Sequence, residues 1–185
     1  MLDISAGIVF QNEFYAPPGP LKIYASNVFG LAVFGLFDSS TLVPADLQDI
    51  VVLALASSDT AWSTTSVSGL PQLSVLQLGV PCVNNRPRSY LTSVSLSDLP
   101  SIATSPYLMG DTSGGVGLEY NLLTQAAAEA VAGDLIVNDI SGGYLAILNQ
   151  YDISGNTYTP VTLDISGTLL TLQNQYGWTL EPPVL

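Results

Sequence analysis

The chain has 185 residues, of which 48% are hydrophobic and 10% charged, which is enough to bury the core of one domain or, at most, of two small ones. Fifteen acidic residues, three basic residues and no histidine give a formal net charge of −12, so the chain cannot neutralise the several phosphates that nucleic-acid binding requires. With no histidine and a single cysteine, the usual zinc sites and Cys–His catalysis are excluded as well.

Two features of the chain bear on its location. The apolar runs 28–37 and 50–56 are much shorter than the ~20 residues of a membrane-spanning helix. Residues 1–5 contain neither the basic region nor the apolar stretch of a secretory signal. We therefore expect an intracellular protein, or one that is assembled in the cytoplasm.

Short apolar runs separated by turn residues predict many β-strands. In chain order the candidates are 7–10, 21–25, 31–37, 50–56, 62–67, 74–78, 90–96, 116–120, 135–137, 144–148, 158–163 and 169–173. The proline-rich segments 17–20 and 81–87 predict loops. This spacing of strands and turns is typical of an antiparallel sandwich or barrel.

Residues 121–132 have a different pattern, which predicts one short helix. Their apolar positions recur at helical spacing and are Leu122, Leu123, Ala126, Ala127, Ala130 and Val131. Asn121 is a suitable N-cap, and Gly133 can end the helix. A single helix inserted among many strands predicts a decorated β-domain.

A duplicated segment lies near the end of the chain. Residues 139–152 and 164–177 align without a gap and share Asp-Ile-Ser-Gly, a central Leu, and Asn-Gln-Tyr. Asp-Ile-Ser-Gly suits a turn, and the alternation that follows it predicts a strand in each copy. The spacing of 25 residues predicts two strands of like direction separated by one returning strand.

Motifs that might indicate catalysis are incomplete. The segment 110–115, Gly-Asp-Thr-Ser-Gly-Gly, has the composition of a serine-protease nucleophile loop, but no histidine exists to act as base. No lysine follows Gly115 as a P-loop requires. We therefore predict a protein that is not an enzyme, with no catalytic residue, no cofactor and no metal site. The carboxylate pairs Asp46 with Asp49 and Asp111 with Glu119 leave a glycosidase as an alternative.

Aromatic and basic residues supply the candidates for contact with other molecules. Trp62, Trp178 and nine tyrosines could form a platform for glycans, or they could pack in the core or at a subunit interface. Arg86 and Arg88 are candidate interface anchors to acidic neighbours, with a solvated loop as the alternative. Cys82 is a candidate for an interchain disulfide, or else a small buried apolar residue.

The acidic, lysine-poor composition leaves two interpretations open. Such a surface suits a protein that works in concentrated salt, where repulsion between like charges is screened. An acidic protein of an ordinary environment has the same composition.

In length, composition and strand density the whole chain resembles the small major capsid protein of haloarchaeal icosahedral viruses with an internal membrane, the sphaerolipovirus type. The resemblance is carried by the Asp-rich turns at Asp139, Asp152 and Asp164, the strands between them, and the scarcity of Lys and Arg. It implies that residues 1–185 form a single upright jelly-roll domain of antiparallel strands.

The same resemblance implies a structural role in the virion. Such a protein associates with copies of itself and with a larger capsid protein into pseudo-hexameric capsomers of an icosahedral shell. That shell encloses a membrane, so the protein would lie near lipid and would not contact nucleic acid. A β-sandwich adhesin or glycan-binding module is the alternative that the residues leave open.

Overall fold

A computed structural model describes residues 2–4, 12–25, 28–79, 89–103, 115–154 and 157–180. The strands are β1 Leu2–Ile4, β2 Asn12–Ala25, β3 Gly30–Leu42, β4 Val52–Ser57, β5 Thr64–Ser68, β6 Val75–Leu78, β7 Ser93–Ser97, β8 Gly115–Gly117, β9 Tyr144–Ala146, β10 Asn149–Ser154, β11 Thr157–Thr162 and β12 Thr179–Leu180. The helices are α1 Gln125–Val137 and α2 Gly167–Tyr176, and a 3₁₀ turn covers Pro44–Asp46.

The main sheet is built from parallel strands stacked in chain order. Its order is β1-β2-β3-β4-β6-β8-β9-β12, and every neighbouring pair is parallel. After each strand the chain therefore returns to the same end of the sheet and adds the next strand at the same edge. Each strand with its return is one rung, and the stacked rungs form a solenoid.

This topology corrects the prediction of an antiparallel jelly roll. The chain is rich in strands, as expected, but among the described residues only β10 and β11 pair in an antiparallel manner. The cause of the error is physical: alternation of apolar and polar residues tells which face of a strand is buried. It does not tell in which direction the neighbouring strand runs.

A column of aliphatic side chains runs through the main sheet. The strand register places one buried residue of each rung directly beside the next; these residues are Leu31, Leu53, Leu76, Val116, Leu145 and Leu180. Burying each such side chain contributes about 1.5–3 kcal/mol. Strand β4 is buried on both faces, as is common for parallel strands. The stacked rungs thus share one continuous core.

The second wall of the solenoid changes from strands to helices. Strands β5 and β7 pair in parallel, and α1 then packs against both β7 and α2. Beyond β7 no further described strand pairs, and side chains of α1 and of its C-cap residue accept hydrogen bonds in place of a strand. Asp134 Oδ2 of α1 accepts from Leu96 N at 2.8 Å, and Oδ1 of the C-cap residue Asn138 accepts from Asp98 N at 3.1 Å. The edge of β7 is therefore not left unsatisfied.

Two buried amides join successive rungs. Asn121 Nδ2 donates to Leu78 O at 2.6 Å and to Leu118 O at 3.0 Å, which belong to neighbouring rungs. Gln150 repeats the pattern one rung later, with Nε2 donating to Leu118 O at 3.0 Å and to Ile147 O at 2.7 Å. Both side chains are almost fully buried. They satisfy carbonyl groups at the point where the strands end.

The helix prediction is right in kind and wrong in its bounds. Helix α1 begins after Thr124, whose Oγ1 accepts from Ala127 N at 3.2 Å. Asn121 does not cap the helix, because its side chain already donates to the carbonyl groups of neighbouring rungs. The helix continues through Gly133, so the strand predicted at 135–137 is wrong. The loop predicted at 17–20 is also wrong, since this segment lies within β2 at a shift of register.

The duplicated segment folds in two different ways. Its first copy contains strand β9, as predicted, but its second copy forms helix α2 in place of the strand predicted at 169–173. Leu169 and Leu172, three positions apart, are both buried, and Gly177 ends the helix with φ of 68°. The predicted pair of strands of like direction is therefore wrong.

Some predicted segments cannot be compared. The strand at 7–10 and the loop at 81–87 lie outside the described residues. Within the described part of the chain, neither helix is long and apolar enough to cross a membrane.

Candidate binding site at the base of the hairpin

Strands β10 and β11 form a hairpin that leaves the solenoid shortly after β9. One face of the hairpin carries Asn149, Tyr151 and Ile153 from β10, with Tyr158 of β11 opposite Ile153. Most of the hairpin beyond its base is exposed. It therefore offers side chains that the core does not use.

Two tyrosines of this face, Tyr151 and Tyr158, each pair with a tyrosine from outside the hairpin. Tyr151 contacts Tyr120 with ring centroids 6.3 Å apart and planes tilted by 38°. Tyr158 contacts Tyr90 at 6.3 Å with a tilt of 59°. Tyr151 and Tyr158 are diagonal neighbours in the hairpin register, so the two pairs lie side by side. Such tilted contacts are favourable arrangements of aromatic rings.

The turn after β8 fixes one of these tyrosines. Tyr120 has φ of 61°, which is uncommon for a residue other than glycine. Backbone hydrogen bonds hold it there: Tyr120 N donates to Asn149 O, and Tyr151 N donates to Asn121 O, both at 2.8 Å. Strained residues of this kind cluster at functional sites. The turn also places Glu119 against the first residue of the hairpin.

Glu119 is a buried acid beside the tyrosines. Its side chain is 4% exposed, and its Oε1 accepts a hydrogen bond from Asn149 Nδ2 at 3.2 Å. Burial raises the pKa of Glu119 from an ordinary 4.5 to about 7, although the hydrogen bond from Asn149 acts in the opposite direction. The carboxyl group therefore changes its charge near neutral pH.

One oxygen of this carboxyl group remains available. Among the described residues, the fully buried side-chain atom without a hydrogen-bond partner is Ser89 Oγ. Glu119 Oε2 has no partner within that part of the chain either, and it consequently keeps contact with solvent. An acid with one oxygen held and one open can accept a hydrogen bond from a ligand when charged, or donate one when neutral.

The tryptophans do not contribute to a platform. Trp62 and Trp178 are 0% and 2% exposed and belong to the core. Trp62 packs edge-on against Phe37 with centroids 4.8 Å apart, and its Nε1 donates to Ser40 Oγ. Trp178 Nε1 donates to Ile140 O at 2.9 Å. For these two residues the structure therefore supports the alternative of core packing, and the tyrosines are the candidates that remain for a platform.

The predicted carboxylate pairs both stay predictions. Asp46 is half-buried in the 3₁₀ turn, while Asp49 is exposed three positions later. Asp111 lies outside the described residues, so its pairing with Glu119 stays a prediction. No group of three or more His, Cys, Asp or Glu side chains in the described ranges could hold a metal ion.

The predicted interface residues Cys82, Arg86 and Arg88 also lie outside the described residues. Comparisons with protein-family models, with curated proteins and with solved structures find no match. The geometry of this chain is accordingly the basis for any functional conclusion.

Sequence reasoning found Glu119 but not its surroundings. The sequence signal for its burial is that Glu119 is the one acid in the apolar run 116–120, which is expected to lie in the core. Asn149 belongs to the repeated Asn-Gln-Tyr, and in the first copy these residues begin β10. Its contact with Glu119 arises from the stacking of rungs, which no local pattern reveals.

Proposed function

We propose that this chain is a non-catalytic recognition module whose ligand contacts the tyrosines and Glu119 at the base of the hairpin. The observation that supports this most strongly is the grouping of two tyrosine pairs, of which Tyr90 alone is buried, with a buried carboxyl group and an amide. Tyrosine is enriched at binding surfaces because its ring is large and rigid and its tip is polar.

The ligand that this chemistry favours is an uncharged glycan. Sugar rings offer apolar faces to aromatic side chains and hydroxyl groups to a carboxyl group and an amide. A net charge of −12 disfavours anionic ligands. A solenoid with one continuous core also holds the contact groups in place before the ligand binds, which reduces the entropy lost on binding.

A glycan array tests the proposal. Tyr151→Ala should abolish the signals that the intact chain gives, because it removes the ring that contacts Tyr120. Tyr144→Ala is the matched control, since Tyr144 lies at the start of β9, away from the hairpin. Both variants must give the circular dichroism spectrum of the intact chain. An intact chain without glycan signal, or equal loss in both variants, would contradict the glycan site.

A structural protein of a virion is the second candidate, and composition favours it. An apolar share of 48% with 10% charged residues suits a chain that buries surface against other chains. This candidate includes self-association, a larger capsid partner and proximity to an internal membrane. The parallel pairing of the main sheet does not support the upright jelly roll of such capsomers.

Native particles decide between the two candidates. Mass spectrometry and electron microscopy of the native source should find the chain at a fixed, high copy number in a shell if it is a capsid protein. A chain that stays monomeric at high concentration and never co-purifies with particles would rule out the capsid role.

A further inference from the structure

Among the described residues, Glu119 is the only acid whose side chain is buried. Its protonation is governed by this burial and by the hydrogen bond from Asn149, without a contribution from any described cation. A carboxylate in such a place loses the water that solvates it, so burial favours the neutral carboxyl group. Below pH 7 the site therefore contains a carboxylic acid and not a carboxylate.

The hydrogen bond from Asn149 determines which oxygen of Glu119 carries the proton. Asn149 Nδ2 donates to Glu119 Oε1 at 3.2 Å, so that Oε1 is an acceptor. The preceding rung contributes no side chain at this place, because Gly79 lies there and a Cβ on it would be 2.7 Å from Glu119 O. The proton of the neutral form consequently lies on Oε2, which becomes an O–H donor.

Tyrosine rings lie next to this donor. Tyr120 follows Glu119 in the same turn and pairs with Tyr151 of the hairpin. Both tyrosines are half-buried, so part of each ring is open to a ligand. A ligand group that uses both features must have a hydrogen-bond acceptor and a small apolar surface close together.

We propose that the glycan bound at the base of the hairpin carries N-acetyl groups, and that Glu119 donates a hydrogen bond to an acetamido carbonyl oxygen. This inference rests on the proposed glycan function and names the class of sugar. The carbonyl oxygen accepts but cannot donate, which matches an O–H donor, and the adjoining methyl group can pack on a tyrosine ring. The acetamido group is also uncharged, so it adds no charge beside the acid.

A glycan that has only hydroxyl groups would use Glu119 differently. Each hydroxyl group donates as well as accepts, so it can bind the charged carboxylate at least as well as the neutral acid. Its affinity would then stay constant or increase as the pH rises above 7. Binding that depends on the proton of Glu119 must weaken over the same range. The direction of the pH dependence therefore distinguishes the two kinds of glycan.

Few other ionisable groups lie around Glu119. On the described segments that adjoin its turn they are the phenols of Tyr90, Tyr120, Tyr151 and Tyr158. Strand β10 also carries Asp152, which alternates with Tyr151 and is exposed, so it lies on the opposite face of the hairpin. Asp152 is therefore a matched control for the loss of a carboxylate.

The test is calorimetric titration of the full chain with the β-1,4-linked tetramers of N-acetylglucosamine and of glucose, at pH 5.5 and pH 8.5. At pH 5.5 the N-acetylated tetramer should bind at least tenfold more tightly than the glucose tetramer. At pH 8.5 its affinity should fall by about 30-fold, because only about 3% of Glu119 is then neutral. Circular dichroism must show that the chain is folded at both pH values. An affinity that is equal or higher at pH 8.5 would overturn the inference.

Two variants assign the pH dependence to Glu119. Glu119→Gln cannot ionise and has an N–H donor in place of the acid proton, so at pH 8.5 it should bind the N-acetylated tetramer about 30-fold more tightly than the intact chain. Asp152→Asn should show the same fall in affinity as the intact chain. An equal fall in Glu119→Gln would refute the role of its proton.

The glycan array separates this inference from the function on which it rests. Signals confined to glycans without acetamido groups would overturn the N-acetyl assignment and leave the glycan site intact. The absence of any signal would overturn the glycan site itself, and the N-acetyl assignment with it.

Discussion

Glu119 should make the stability of this protein fall as the pH rises through neutrality. In the folded chain burial raises the pKa of this carboxyl group to about 7, whereas in the unfolded chain its pKa is an ordinary 4.5. The fold therefore favours the neutral form. Its contribution is fully present below pH 4.5, decreases between pH 4.5 and 7, and is lost above pH 7.

The magnitude follows from the difference between the two pKa values. Each unit corresponds to about 1.4 kcal/mol, so the free energy of unfolding should decrease by about 3 kcal/mol between pH 4.5 and pH 8. For a domain of this size that corresponds to a fall in Tm of roughly 6–12 °C. The other carboxylates also repel one another more at high pH, so this change must be separated from theirs.

The variant Glu119→Gln provides that separation, because its amide keeps an acceptor for Asn149 but does not ionise. Urea unfolding of both proteins should be measured at half-unit steps from pH 4.5 to 8.5. At pH 4.5 the two should be equally stable, and at pH 8 the variant should be more stable by about 3 kcal/mol. If the two stability curves stay parallel over this range, the buried environment of Glu119 is not as we describe it.

Three further predictions concern the stability of the solenoid. Asn121→Ala removes the side-chain donor to Leu78 O, and it should lower the free energy of unfolding in urea by about 3 kcal/mol. A decrease below about 1 kcal/mol would mean that water replaces the amide. Asp134→Ala should cost about 1–2 kcal/mol and speed amide exchange of Leu96, whereas unchanged exchange would contradict its role at the edge of β7. If the acidic surface is an adaptation to salt, Tm should rise between low and molar salt, and an unchanged Tm would exclude this.

The positions of most strands could be predicted because burial follows a simple rule. The segments 31–37, 50–56 and 74–78, which the sequence predicts as strands, overlap β3, β4 and β6, although β3 continues five residues further. In a strand that packs on a core, apolar residues either alternate with polar ones or form a continuous run, and this holds whether the neighbouring strand is parallel or antiparallel. The parallel direction could not be predicted in this way, since it depends on where the chain returns after each strand.

The two copies of the repeat show a second limit of local patterns. Both begin with Asp-Ile-Ser-Gly, yet the first leads into β9 and the second into α2. Helix α1 supplies the difference, because α2 can bury Leu169 and Leu172 by packing on it. Whether a copy forms a strand or a helix therefore depends on the element it packs against, because tertiary packing overrides local propensity.

Stacking of rungs also explains why a search for short motifs finds no site in this chain. Glu119 and Asn149 are 30 positions apart and hydrogen-bonded, and Thr64 lies beside Ser93 at a similar separation. In a solenoid, residues that act together come from equivalent positions of successive rungs. Glu119 and Asn149 are unremarkable in their own segments, but the stacking of the rungs brings them together beside the tyrosines. Functional residues of this chain should therefore be sought at the spacing of its rungs, and an insertion or deletion in the segment between β8 and β10 should separate Glu119 from Asn149.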